Sequence, residues 1–322
     1  MALLVLLSLT ACAPPRSSHI VVGSKNFTEQ AVLGELLAQE IEAAGGGTVE
    51  RRFWLAGSYL CQQALVADRI DAYPEYTGTA LTAILKQPLP KAGTCDEACV
   101  HAKVGELYEQ RYKVREGPGL GFEDTFAMVV RAEDARRYGL KTISDVARVL
   151  ADNPTSQNRD VGHPVSLNPM RLGVGYEFAE RPDGLRGLSA AYGLKFAEAP
   201  RTMELGLLYR ALAEHQVDIV AGNSTDAAIA GLGFVVLEDD RHYFPPYEAV
   251  PLVREDSLAR WPQIGVAMQR LAGKVSAEDM RAMNLAVEVK HQDVGDVVRA
   301  FRRSKGLGNR DQGLGKASED GS

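Results

Sequence analysis

The chain is expected to fold as an α/β protein of two lobes, and three observations carry that expectation. Short apolar runs alternate with helical stretches from residue 20 onward. The alternation resumes after an interruption around two closely spaced cysteines. The 322 residues suit two α/β lobes better than one sheet. Apolar residues make up 45% and charged residues 24%, the ordinary balance of a soluble globular protein. No internal repeat is evident.

Ile20-Val-Val-Gly23 reads as a buried strand. Thr28 is a candidate cap for the next helix, in which Ala31, Leu33, Leu36, Leu37 and Ile41 recur at helical spacing until Gly45-Gly-Gly47 ends it. Val49 to Leu55 reads as a strand, Ser58 to Val66 as a helix and Ile70 to Tyr73 as a strand. Beyond the cysteines, Thr125 to Val130 is a strand candidate and Ile143 to Val149 a helix. Asn153 to Pro164 is rich in Asn, Asp, Pro and Gly, which reads as a surface loop. Leu172-Gly-Val-Gly175 precedes a helix from about Tyr176. Thr202 to Glu214 is amphipathic, and Val217 to Ala221 and Phe234 to Leu237 are strands. Helical periodicity runs from Ser257 to Phe301, and Lys305 to Ser322 is expected to be disordered.

The ends and the charge narrow the function. Leu3 to Leu9 is a short apolar core, well below the roughly 20 residues a spanning helix needs, and it fits a secretory signal. Leu9-Thr-Ala-Cys12 looks like a bacterial lipobox, with Cys12 as the lipidation site and residues 13–18 as a tether. That places the chain in the periplasm or on the cell surface, held to the membrane by a lipid anchor. Net charge is -6 with both signs interspersed, which gives no basic face for nucleic acid. Cys61, Cys95 and Cys99 allow three single disulfide pairings in an oxidising compartment, and spacing does not choose among them.

Five segments resemble the substrate-binding proteins of osmoprotectant importers, the glycine betaine, choline and carnitine type. They are Gly23-Ser-Lys-Asn-Phe-Thr-Glu-Gln30, Asp71-Ala-Tyr-Pro-Glu-Tyr-Thr-Gly-Thr79, Phe178-Ala-Glu-Arg-Pro-Asp-Gly184, the stretch from Tyr209 to Asp226, and Leu237-Glu-Asp-Asp240 with Phe244-Pro-Pro-Tyr247. They occur in the family's order over about residues 20 to 290. The resemblance implies a type II periplasmic-binding fold in which two lobes close on a ligand. Lobe one is then discontinuous, 19–125 plus 226–304, with lobe two at 126–225 and crossings near Asp124-Thr125 and Ser224-Thr225. It also implies a monomeric binding component of an ABC importer, working with a permease and an ATPase and using no cofactor or metal.

The same resemblance implies the site. A quaternary ammonium has no N–H to donate, and aromatic faces suit its methylated charge. Tyr76 and Tyr247 fall on matching positions, and Phe126 stands where relatives commonly carry Tyr. Asn223 departs from the pattern, because relatives that cage betaine often have Tyr there; an amide favours a ligand with N–H or hydroxyl groups. Arg181 and Lys25 match carboxylate-contacting positions, where a planar fork and a point charge suit that group. Thr79 adds a hydroxyl. Asn26 follows Lys25 between strand and helix, where backbone N–H groups favour anions. Core packing is the better reading of Tyr59 and Tyr209.

No catalytic motif is present: no Gly-x-Ser-x-Gly elbow, Walker loop or His-Glu-x-x-His stretch. Asp239-Asp240 reads as a solvated pair, and the six histidines are scattered. Two other classes of function compete with import. One is a ligand-sensing receptor module built on the same clamp. The other is a metal or redox protein using Cys61, Cys95, Cys99 and His101.

Overall fold

The computed structural model describes residues 19–90, 94–151 and 170–307. The expected lipobox at Cys12, the loop at 153–164 and the tail from 308 lie outside the described residues.

The first sheet grows from β1 (Val21–Gly23), α1 (Thr28–Ala43), β2 (Glu50–Arg52), α2 (Ser58–Val66) and β3 (Ala72–Tyr76). A short turn of helix, α3 (Thr77–Thr79), then runs into a π-helical segment at Ala80–Ile84, followed by α4 (Glu97–Tyr112) and β4 (Val114–Glu116). The chain next builds a second sheet from β5 (Phe126–Arg131), α5 (Ala132–Tyr138), α6 (Ile143–Ala151), β6 (Leu172–Val174), α7 (Tyr176–Glu180) and α8 (Leu185–Tyr192). It continues through β7 (Arg201–Thr202), α9 (Leu205–Ala213), β8 (Ile219–Asn223), α10 (Ala227–Gly231) and β9 (Phe234–Val236). It returns to the first sheet as β10 (Ala249–Arg254), and α11 (Glu255–Arg260), α12 (Pro262–Leu271), α13 (Ala277–Glu288) and α14 (Val294–Ser304) complete the described fold.

The strand orders are β2-β1-β3-β10-β4 and β7-β6-β8-β5-β9. In each sheet the strand that enters from the other lobe runs antiparallel to its neighbours: β10 between β3 and β4, and β5 between β8 and β9. The pairing of β9 with β5 moves the second crossing. It lies between 237 and 248, not at Ser224-Thr225, and the strand at 234–236 belongs to the second sheet instead of lobe one.

Both faces of the inner strands are covered, so β1, β5, β8 and β10 are largely apolar and buried, whereas β2 (Glu50–Arg52) and the exposed edge strand β7 (Arg201–Thr202) are polar. Side chains alternate between the faces. Val22 packs among Leu36, Ile41, Ile264 and Val298 under α1, α12 and α14, while Val21 joins Leu65, Leu81, Val104 and Tyr108 under α2 and α4. In the second sheet Met128 and Val130 face one core, and Ala127 and Val129 face another under α9. Each aliphatic side chain fully buried in this way contributes about 1.5–3 kcal/mol.

The helix after β1 starts one residue differently from expectation. Phe27 is its N-cap, and Thr28 is the first helical residue, with no side-chain cap. Of the three pairings open to the cysteines, Cys95–Cys99 is the one formed, at the start of α4, and Cys61 is a buried free thiol. With Cys95 and Cys99 consumed, a metal cluster on them loses its thiolates. No group of three His, Cys, Asp or Glu among the described residues is placed to hold a metal. No helix among the described residues is long and apolar enough to cross a membrane.

Candidate functional site

The two sheets meet at strand ends, and the candidate residues sit there. Lys25 and Asn26 follow β1, Tyr76 closes β3 and Thr79 closes α3. From the second sheet, Phe126 opens β5 directly opposite Asn223, the last residue of β8. Arg181 is the C-cap of α7, and Tyr247 lies just before β10. All eight line one cavity of about 150 Å³ between the lobes. Ligands of open α/β sheets bind in such crevices beyond the carboxyl ends of strands.

Arg181 is the centre of the contact between lobes, and 3% of it is exposed. Its Nη1 donates to Thr79 Oγ1 at 2.9 Å, and its Nε donates to Asp183 Oδ1 at 3.0 Å, with Nη2 on the other oxygen. Asp183 also accepts from Thr82 Oγ1 at 2.9 Å and from the Tyr247 hydroxyl. Burial works against both charges. The Arg181 guanidinium nonetheless holds the Asp183 carboxyl below its usual range, and Asp183 holds Arg181 firmly protonated. The guanidinium carbon lies 4.7 Å from the Phe126 ring centroid and 5.9 Å from that of Tyr247. Glu177 adds a further bridge between lobes, accepting from the Ser58 backbone N–H at 2.7 Å. These bonds join residues 58, 79, 82 and 247 to residues 177, 181 and 183, so the clamp is closed.

Lys25 carries its own counter-ion. Its Nζ donates to Glu75 and to Ser58 Oγ at 3.2 Å, and it lies 4.5 Å from the Tyr76 ring centroid. The two cations facing the cavity are therefore each balanced by a buried acid. Of the five N–H donors of an arginine, three on Arg181 are used by Asp183 and Thr79, which leaves two that make no hydrogen bond to the protein among the described residues.

Behind this wall lies a belt of buried acids. Glu29 accepts from the Tyr76 hydroxyl at 2.7 Å, from Thr225 Oγ1 at 2.6 Å and from Asn284 Nδ2 at 2.8 Å. Asp124 accepts from the Thr225 N–H at 3.2 Å and from Ser224 Oγ at 3.3 Å. Asp226 accepts from the Tyr209 hydroxyl at 2.6 Å and from the Asn223 N–H at 2.8 Å. Burial raises all three above the ordinary carboxylate range, Asp226 to about 7.

The sequence pointed to the rings and the cations but missed their partners. Glu75 and Asp183 stand inside the quoted segments, one residue from Tyr76 and two from Arg181, and their counter-ion role follows only from burial. Phe27, Asp124, Glu177 and Leu205 also line the cavity without having been expected there. Tyr209 packs on the Phe234 ring at 6.0 Å, in line with its reading as core. The Tyr59 hydroxyl accepts from Lys86 Nζ at 3.0 Å, and Tyr59 is not among the cavity residues. Asp239 is not a solvated acid, since it accepts from the Tyr192 hydroxyl and from the N–H groups of Tyr243 and Phe244 at 3.0 and 2.9 Å. It thereby fixes the returning segment that carries Tyr247.

Residues 18–304 match the family model of the substrate-binding domain of ABC-type glycine betaine transport systems. A glycine-betaine-binding protein of Pseudomonas aeruginosa is 31% identical over 301 residues, spanning 93% of this chain and 92% of that protein. An ergothioneine transport permease/ergothioneine binding protein of Helicobacter pylori is 30% identical over 289 residues; that is 89% of this chain, which spans 48% of its relative. A solved structure of a glycine betaine/carnitine/choline ABC transporter aligns with a TM-score of 0.69 at 26% identity, covering 88% of this chain and 98% of that one.

Proposed function

This chain belongs to the family of substrate-binding domains of ABC-type glycine betaine transport systems, and we propose that its interlobe cleft captures a betaine-like zwitterion for delivery to a permease. Members of this family are extracytoplasmic binding components that hand small solutes to a permease driven by an ATPase; they are not enzymes. The observation that carries the reading is the convergence of Tyr76, Thr79 and Tyr247 from one lobe with Phe126, Arg181 and Asn223 from the other on a single cavity.

The two remaining Arg181 N–H groups suit the carboxylate of the solute. Desolvated, charge-assisted hydrogen bonds of this kind contribute about 1.5–3 kcal/mol. The rings of Tyr76, Phe126 and Tyr247 suit its quaternary ammonium, although the protein's own cations take part of the π surface at Tyr76 and Phe126. Closure is favoured by the solute because contacts from both lobes form together only in the closed state.

Calorimetry with glycine betaine and choline on wild type and Arg181→Ala tests the roles. The variant is expected to lose about 10- to 100-fold in affinity for glycine betaine and much less for choline. Equal losses for both would remove Arg181 from carboxylate recognition. Leu9-Thr-Ala-Cys12 supports a lipid anchor on Cys12. Mass spectrometry of the mature N-terminus is expected to show an acylated cysteine, and Cys12→Ser is expected to release the protein from the membrane.

A further inference from the structure

A second hollow of about 320 Å³ adjoins the cleft and shares Asn26, Phe27, Glu204, Leu205 and Asn223 with it. Asn26 and Asn223 stand between the two spaces. Among the described residues, neither side-chain amide is hydrogen-bonded to the protein.

The chemistry of the hollow is one-sided. Its walls include Glu29, Glu204, Asp226 and Glu288 and, among the described residues, no lysine or arginine. Asn284 also lines it and is only 2% exposed. Its Nδ2 donates to Glu29 and to the Thr225 carbonyl, while its Oδ1 is a buried acceptor without a partner among the described residues. Trp54, 57% exposed, stands at the rim. Buried acceptors without donors are costly, so a group bearing N–H fits this space and an anion does not.

We propose that the solute is longer than glycine betaine, and that it carries a cationic, N–H-bearing arm that passes between Asn26 and Asn223 into this acidic hollow. The inference rests on the reading that the cleft holds a quaternary-ammonium zwitterion. The zwitterionic head lies against Arg181 and the rings. The arm donates to the two amides and ends among Glu29, Asp226, Glu288 and Asn284. Burial raises Glu29, Asp226 and Glu288, with Asp226 at about 7, while hydrogen bonds and the Lys25 charge lower Glu29 in part. A cation arriving beside them lowers these values and expels protons.

The test is calorimetry with three betaines: glycine betaine, the α-trimethylated betaine of lysine, and that of norleucine, whose arm is apolar. The lysine compound is expected to bind about tenfold tighter than the norleucine compound. It is also expected to release protons between pH 6 and 7.5, seen as a heat that depends on the buffer. Glu288→Gln, at the end of α13, is expected to narrow the gap between these two probes and leave glycine betaine unchanged. Equal binding of the two long betaines overturns the inference, as does rejection of both while glycine betaine binds. If no betaine binds, the reading of the cleft itself fails and the inference falls with it.

Discussion

Glu116, at the end of β4, is a carboxyl whose surroundings do not satisfy it. Its side chain is 1% exposed, neither oxygen is hydrogen-bonded to a side chain among the described residues, and His101 Nε2 approaches only to 3.8 Å. Burial pushes it up to about 8, with Glu248 adding to the rise and His101 opposing it. In the unfolded chain a glutamate titrates near ~4.3. Between those two values the folded protein holds the extra proton, so raising the pH through this window favours unfolding. Glu116→Gln removes the ionisation. Thermal unfolding followed from pH 5 to 9 is expected to fall less steeply for the variant, with its advantage over wild type greatest at pH 9. The same contrast explains what could be read residue by residue. Tyr76, Arg181 and Tyr247 stand in recognisable segments, whereas the tasks of Glu75, Asp183 and Glu116 are set by burial, which a string of letters does not display.

Among the elements, α1 shows most clearly how packing overrides pattern. Its residues from Glu29 to Ile41 are all buried, polar ones included, because the helix lies between its sheet and α12, α13 and α14. The polar positions therefore need partners. Arg302 of α14 donates to Glu40 at 2.6 Å, and Arg51 of β2 donates to Glu35 at 3.0 Å. Removing one member of a buried pair strands the other, at a cost of about 3–5 kcal/mol. Arg302→Leu is accordingly expected to lower the unfolding free energy from urea titration by an amount in that range, and Arg302→Lys, which keeps the charge, to lose less. At α13, Ser276 and Asp279 form a reciprocal capping box, and Ser276→Ala is expected to cost about 1 kcal/mol in the same measurement. The elements with plain signals, α2 and the apolar strands, were legible. β10 was not, because Pro251 sits in its middle and a proline argues against a central strand. In the fold Pro251 stands opposite Pro74 of β3, so two residues without N–H groups share one rung instead of disturbing two.

For the whole molecule, alternation and length were enough to indicate two α/β lobes, but the second crossing was not. The short apolar run at 234–236 gives no sign of which sheet it joins, and only its pairing with β5 decides that. The closed clamp is held by few direct bonds, and each therefore weighs on the balance between open and closed forms. Glu177→Ala deletes the bond to the Ser58 N–H. It is expected to weaken solute binding several-fold by making the competent state rarer, and to enlarge the radius of gyration seen by small-angle scattering in the absence of solute. An unchanged radius together with unchanged affinity would show that this bridge does not govern closure.

Tyr247 belongs to the returning connection between the lobes, yet its ring faces the cleft and its hydroxyl reaches Asp183 on the far side. Recognition and movement are thus written into one side chain. A lineage that altered this tyrosine to suit a new nutrient would also retune how readily the jaw shuts. Changes in diet and changes in delivery to the transporter should therefore arise together at this position, not as separate evolutionary steps.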